Sequence, residues 1–127
     1  PRLGEILICD YSSGFRPPEM VKRRLCVVVS PKLKRREDLA SVVPLSESAP
    51  DPLENWHHKI NLVSKSWGDG PRWVKCDMIA TVGYNRLSRP HYRHQVTGAR
   101  LFETLSLDAG DLAEVQRKIT IALGIGH

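Results

Sequence analysis

Arg24, Ser46 and Glu19 are the residues of this chain whose types and order suit chemistry on a phosphodiester. A guanidinium has a planar fork that matches phosphate oxygens, and on a rigid element it is aimed at its target. Arg24 follows Lys22-Arg23 and runs directly into Leu25-Cys26-Val27-Val28-Val29-Ser30-Pro31, a strongly apolar strand signal, so it stands at a strand entrance. The next strand signal, Ser41 to Ser46, ends in a hydroxyl, and Glu19 is a carboxylate upstream. Each residue also has an ordinary reading: Arg24 as a strand-edge arginine paired with a surface carboxylate, Ser46 as a turn serine, Glu19 as a solvated loop acid. Lys22-Arg23 adds phosphate attraction or is a solvated charge pair, and Lys34-Arg35-Arg36 reads as a solvated loop. Trp56, Trp67 and Trp73 are able to stack on unpaired bases, with core or interface packing expected for at least two of them. His57-His58 and His91-x-x-His94 lack a cysteine or acid at ligand spacing, so no metal site is expected.

The elements that must hold these residues are mostly short strands. Glu5 to Asp10 reads as the first, closed by the turn-rich Tyr11 to Pro18, whose two prolines stiffen the loop. The β-branched run Cys26 to Ser30 implies a strand covered on both faces, ended by Pro31. Lys32 to Asp38 is a charged connection, and Pro44 predicts an edge or a bulge near the end of the Val42 to Leu45 strand. Ser46 to Asn55 is an excursion. His58 to Leu62 alternates with period two, Trp67 to Pro71 is a turn cluster, and Trp73 to Val82 has strand character with an irregular period. Arg89 to His94 reads as a basic loop, and Arg100 to Leu105 as one more strand. The helix is C-terminal: Asp108 caps it, Leu112, Val115, Ile119 and Leu123 share a face, and Gly124 stops it. Short strands followed by one helix predict a small, strongly bent barrel-like sheet packed on a helix, mainly β within the α+β class.

At 127 residues the chain fits one domain, residues 1–127, with enough length for a core. The net charge of +5 favours a polyanionic partner, diluted by 14 acidic residues. Cys9, Cys26 and Cys76 form no CxxC pair and fall mostly in apolar runs, which predicts buried, reduced thiols and a cytoplasmic setting. No long apolar segment suggests a membrane span.

Several elements together resemble the MazF/PemK family of type II toxin–antitoxin ribonucleases. Gly4-Glu5-Ile6 with Cys9-Asp10-Tyr11 is similar to the family's first strand, and Arg24 to Ser30 to its R-P-x-V-V-[LIV]-S element. Val42-Val43-Pro44-Leu45-Ser46 resembles V-x-P-[LIVC]-[TS]. Asp77 to Val82, then Arg86-Leu87, resembles D-Q-[IV]-[RK]-[ST]-[IV] followed by R-L, and Leu107 to Gly124 the terminal helix. The elements occur in the family's order. Leu25, Met78 and Ala80 depart from it, and Ser88 to Thr104 is an insertion.

The resemblance implies an SH3-like (CcdB/PemK-like) barrel acting as a homodimer, with a cognate antitoxin as partner and single-stranded RNA as substrate, cut at short sequences without a metal or other cofactor. It implies Arg24 as the catalytic arginine, Ser46 as the hydroxyl residue and Glu19 as the loop acid, with Lys22, Arg23, Thr81 and Arg86 binding RNA. In such a reaction the ribose 2′-OH is the nucleophile. Arg24 steadies charge on the phosphate, Ser46 bonds a phosphate oxygen or orients the 2′-OH, and Glu19 is the nearest candidate base, with His57 or His58 as further acid–base candidates. Two other readings remain open at this point: a CcdB-like gyrase-inhibiting toxin, which needs no Arg24–Ser46 pair, and a diverged RNA-binding barrel.

Overall fold

The computed structural model describes residues 1–32 and 34–126. Leu33, inside the charged connection, lies outside them. Ten strands and one helix follow in the order β1 (Glu5–Asp10), β2 (Arg23–Val28), β3 (Leu39–Ser46), β4 (His57–Leu62), β5 (Gly70–Lys75), β6 (Ala80–Gly83), β7 (Leu87–Ser88), β8 (His91–Arg93), β9 (Arg100–Phe102), β10 (Leu105–Ser106) and α1 (Ala109–Ala122). The main sheet is antiparallel in the order β10-β1-β2-β3-β5-β4, with β6 added to β3 and β7 to β1. It curls into the half-barrel that the strand pattern predicts.

Both faces of its centre are buried, as the β-branched run in β2 requires. Leu25 and Val27 join Ile6, Ile8, Val43, Leu45, Ile60, Leu62, Val74 and Val115 inside the curl. Cys26 and Val28 join Leu7, Cys9, Tyr11, Ala40, Val42 and Val82 on the other side. The cysteines are buried free thiols. Pro44 sits where β3 changes partners: Val42 is the last residue paired with β6 and Leu45 the first paired with β5. A residue without an N–H is tolerated there because that edge has no ladder bond to make. Asp108 caps α1, its carboxylate accepting from the Asp111 amide at 2.7 Å, and Val115 plugs the curl.

Three sequence expectations need adjustment. Trp73 to Val82 is two strands separated by a turn at residues 76–79, which explains its irregular period. The supposed basic loop at Arg89 to His94 contains β8, which pairs with β9 in a separate hairpin, and Arg100 to Leu105 is broken at Glu103-Thr104. Pro90 and Gly98 interrupt the alternation that would have announced that hairpin. Its root is closed by the Glu103 amide donating to the Pro90 carbonyl at 2.8 Å. The Glu103 carboxylate clamps it to the β4–β5 turn, accepting from the Ser64 hydroxyl at 2.8 Å, the Lys65 amide at 2.8 Å, the Ser66 amide at 2.9 Å and the Ser66 hydroxyl. Partial burial pushes this carboxyl up, but these four bonds prevail and hold it at about 2.

Candidate functional site

The β2–β3 ladder ends at Cys26 opposite Pro44, two residues from Arg24 on one strand and two from Ser46 on the other. Ser46 in turn pairs with Trp73, and Trp73 with Lys59, whose ammonium lies 5.9 Å from the indole centroid. Residues directly opposite share a sheet face. A hydroxyl, an aromatic ring and an ammonium therefore form one row across two strand pairings, with Arg24 on the neighbouring strand beyond its Ser46 end.

Arg24 is half-buried, and its Nε donates to the Val21 carbonyl at a long 3.5 Å. Among the described residues no carboxylate pairs with it, so its ordinary reading as a surface ion pair does not hold. Beside it, Leu25, Leu45, Glu47, Trp67 and Arg72 line a cleft of about 20 Å³, room for about one water. The Ser46 hydroxyl donates to the Ser48 carbonyl at 2.8 Å and accepts from the Ser48 amide at 3.2 Å. It is thus a turn serine in this state, with a rotatable proton that would have to leave Ser48 to reach a substrate.

Glu19 stands on the β1–β2 loop, exposed, its Oε1 accepting from the Arg16 amide at 3.2 Å. It lines a pocket of about 290 Å³ with Tyr11, Phe15, Met20, Asp77, Met78 and Ala80. Tyr11, Met20 and Ala80 belong to the Cys9–Cys26 side of the sheet, and Arg24 is paired with Cys9 on that side. Arg24 is not among the residues that line this pocket, and no hydrogen bond or ion pair joins it to Glu19 among the described residues.

Arg86 and Asp10 position that loop. Arg86 Nη1 donates to the carbonyls of Asp10 at 2.9 Å and Ser13 at 2.8 Å, and its guanidinium lies 4.9 Å from the Phe15 centroid. Phe15 meets Tyr11 edge-on, and the Tyr11 amide closes the loop on the Lys22 carbonyl at 2.7 Å. The hydroxyl and amide of Ser12 hold the Asp10 carboxyl below its usual range, with the charges of Arg23 and Arg86 adding to the effect. Lys22 turns the chain into β2 at a φ of 71°. Lys22 and Arg23 are exposed beside the site, whereas Arg86 spends its donors on the loop. Thr81 is placed apart: its hydroxyl bonds Ser41 at 2.7 Å, and Ser41 lies on the opposite face of β3 from Ser46.

The family model for PemK-like, MazF-like toxins of type II toxin–antitoxin systems matches residues 2–123. The chain belongs to this family. An uncharacterized Haemophilus influenzae protein is 32% identical, covering 97% of this chain and 90% of its own length. YifN of Escherichia coli K12 is 33% identical, over 70% of this chain and 72% of its own. MazF from Deinococcus radiodurans has the same fold, with a TM-score of 0.64 at 17% identity, covering 98% of this chain and 97% of that one. A mycobacterial endoribonuclease solved with its cognate antitoxin gives 0.61 at 18%, covering 100% and 98%.

In this MazF/PemK toxin the histidines considered for acid–base work are engaged elsewhere. His58 Nε2 bonds Asp111 Oδ1 at 2.8 Å, and its Nδ1 accepts from Lys118 Nζ at 3.1 Å, tying β4 to α1. His57 Nδ1 accepts from the Glu54 amide at 3.0 Å. Trp56 and Trp67 pack on the core, leaving Trp73, one of the three candidate stacking rings, in the Ser46 row. Lys59 was not singled out from the sequence as part of the site. Its one signal was the alternation in β4, which places it outward.

Proposed function

We propose that this toxin is a metal-independent endoribonuclease that cuts single-stranded RNA, messenger RNA included, at selected sequences and so blocks translation in the cytoplasm. The observation that carries the reading is Arg24: a half-buried guanidinium on a rigid strand, with no carboxylate partner among the described residues, near the end of β3 where Ser46 begins a row with Trp73 and Lys59. A base takes the proton of the ribose 2′-OH, the 2′-oxygen attacks phosphorus, and the bond to the 5′-oxygen breaks. That oxygen leaves with a proton from solvent, giving a 2′,3′-cyclic phosphate and a 5′-hydroxyl. Arg24 stabilises the added phosphate charge, a task a metal would otherwise perform. Ser46 turns its hydroxyl from Ser48 to a phosphate oxygen or the 2′-OH. Glu19 is the base, reaching the 2′-OH from the β1–β2 loop. Lys22 and Arg23 attract the backbone, and Trp73 offers a stacking surface. We further propose that residues 1–127 act as one toxin domain, in a homodimer neutralised by a cognate antitoxin. The deinococcal MazE–MazF and mycobacterial complexes support the antitoxin partner.

The test is incubation of the purified toxin with a long single-stranded RNA in EDTA, with the fragment ends mapped. Discrete cuts with cyclic-phosphate and 5′-hydroxyl ends are expected. Intact RNA from folded, antitoxin-free protein would refute the reading.

A further inference from the structure

The hairpin from Ser88 to Phe102 carries three arginines, two histidines and no carboxylate. In its register His91 faces Phe102 and Arg93 faces Arg100, while Tyr92 faces Leu101. Alternation puts His91, Arg93, Arg100 and Phe102 on one face. Tyr92 and Leu101 on the other face are half-buried, and Lys65 covers the Tyr92 ring at 5.4 Å.

Two like charges directly opposite on a short two-stranded ribbon oppose its formation. Arg93 Nη1 bonds only the Gly98 carbonyl, at 3.1 Å, and neither arginine has a carboxylate partner among the described residues. Glu103, the acid that follows Phe102 in the chain, is consumed by Ser64, Lys65 and Ser66. Between the arginines and the root, Phe102 is 51% exposed, with the Arg89 guanidinium 5.4 Å and the His91 ring 5.8 Å from its centroid. An anion between Arg93 and Arg100 relieves their repulsion, and an exposed ring flanked by a guanidinium and an imidazole is a platform for a base.

The Glu103 clamp fixes where this face stands. It fastens the hairpin to Ser64–Ser66, and the next residue, Trp67, lines the cleft beside Arg24. We propose that the hairpin is an RNA-holding arm: Arg93 and Arg100 grip a phosphate of the single strand flanking the cleavage point, and a base stacks on Phe102. Cations alone would also suit an acidic peptide, but the exposed ring among them favours a nucleobase. The arm deepens the ribonuclease reading and rests on it for the identity of the flanking strand.

The experiment measures binding of a fluorescent single-stranded RNA of about 30 nucleotides, long enough to reach beyond the site. Its riboses are 2′-O-methylated, so it cannot be cut by 2′-OH attack. The double variant R93Q/R100Q should bind about tenfold more weakly at low salt and show a salt slope shallower by about two contacts. Ultraviolet cross-linking of the wild-type protein to the same RNA should label the peptide containing Phe102, a readout needing no variant. Unchanged affinity and slope in the folded double variant, or no label on that peptide, would overturn the arm. Hairpin-dependent binding of polyglutamate in place of RNA would overturn it as well. Hairpin-dependent RNA binding by a wild-type protein that cuts nothing would keep the arm and remove the ribonuclease reading. Cleavage that persists with no hairpin dependence would remove the arm alone.

Discussion

Replacing Glu103 with glutamine should loosen the hairpin from the barrel, and the effect should fade in acid. The carboxyl ordinarily titrates at 4.5 and is held at about 2 when folded. A depressed folded value means the carboxylate contributes stability above 4.5, and the contribution is lost as pH falls from there through about 2. Taken at face value the shift is worth about 3 kcal/mol, at about 1.4 kcal/mol per unit. Glu103 is only half-buried, so water screens part of this and about 1–2 kcal/mol is the expected effect. The assay is urea unfolding of wild type and E103Q from about pH 7 to about pH 3. Amide exchange at Lys65 and Ser66, whose N–H groups donate to the carboxylate, reports the local opening. The gap between the proteins should be full at neutral pH and shrink steadily below 4.5. A gap that is absent at neutral pH, or constant through the acid range, would refute the clamp.

Arg86→Ala should cost about 2–3 kcal/mol, since it removes two charge-assisted bonds to the loop carbonyls and a cation–π contact, partly solvated. Denaturant unfolding measures this, and unchanged stability would mean that Arg86 serves RNA rather than the loop. Ser46→Ala should slow RNA cleavage about tenfold or more at unchanged RNA affinity, because its donor acts mainly in the transition state. Single-turnover rates equal to wild type would leave Ser46 a turn residue only. Val115→Ala, which empties the plug from α1, should cost about 2–3 kcal/mol with an unchanged denaturant slope. A loss well under that range would mean α1 is not the lid of the core.

The fold was legible where local chemistry decides it. The β1 boundaries, the two-sided burial of β2 and the Asp108 cap follow from apolar runs and one capping side chain. The start of β2 and the end of β3 were legible too, and with them the candidacy of Arg24 and Ser46, although β2 stops at Val28, two residues before the expected Ser30. That β3 passes from β2 to β5 at Pro44 and sets Ser46 opposite Trp73 was not, because register is set by packing of distant strands and not by either segment alone. The same limit hid Lys59 and the place of Trp73 beside Ser46. Arg86, grouped with RNA contacts by its motif, turns its donors on backbone carbonyls that only the closed loop brings near. His58 looked available because Asp111 and Lys118 lie far along the chain in α1. The hairpin escaped for a different reason: its strands are three residues each, and the bonds that root it come from Glu103 and a turn many residues earlier.

The central claim is that Arg24 provides the charge that lets this barrel cut RNA without a metal. Its most direct test is single-turnover cleavage of one mapped RNA, in EDTA, by wild type, Arg24→Lys and Arg24→Ala, each shown to be folded by its thermal transition. The account predicts a loss of about a hundredfold or more in Arg24→Ala at unchanged melting temperature, with Arg24→Lys partly active because it keeps the charge without the fork. Wild-type rates from folded Arg24→Ala, or cleavage by wild type only when a divalent metal is added, would contradict it.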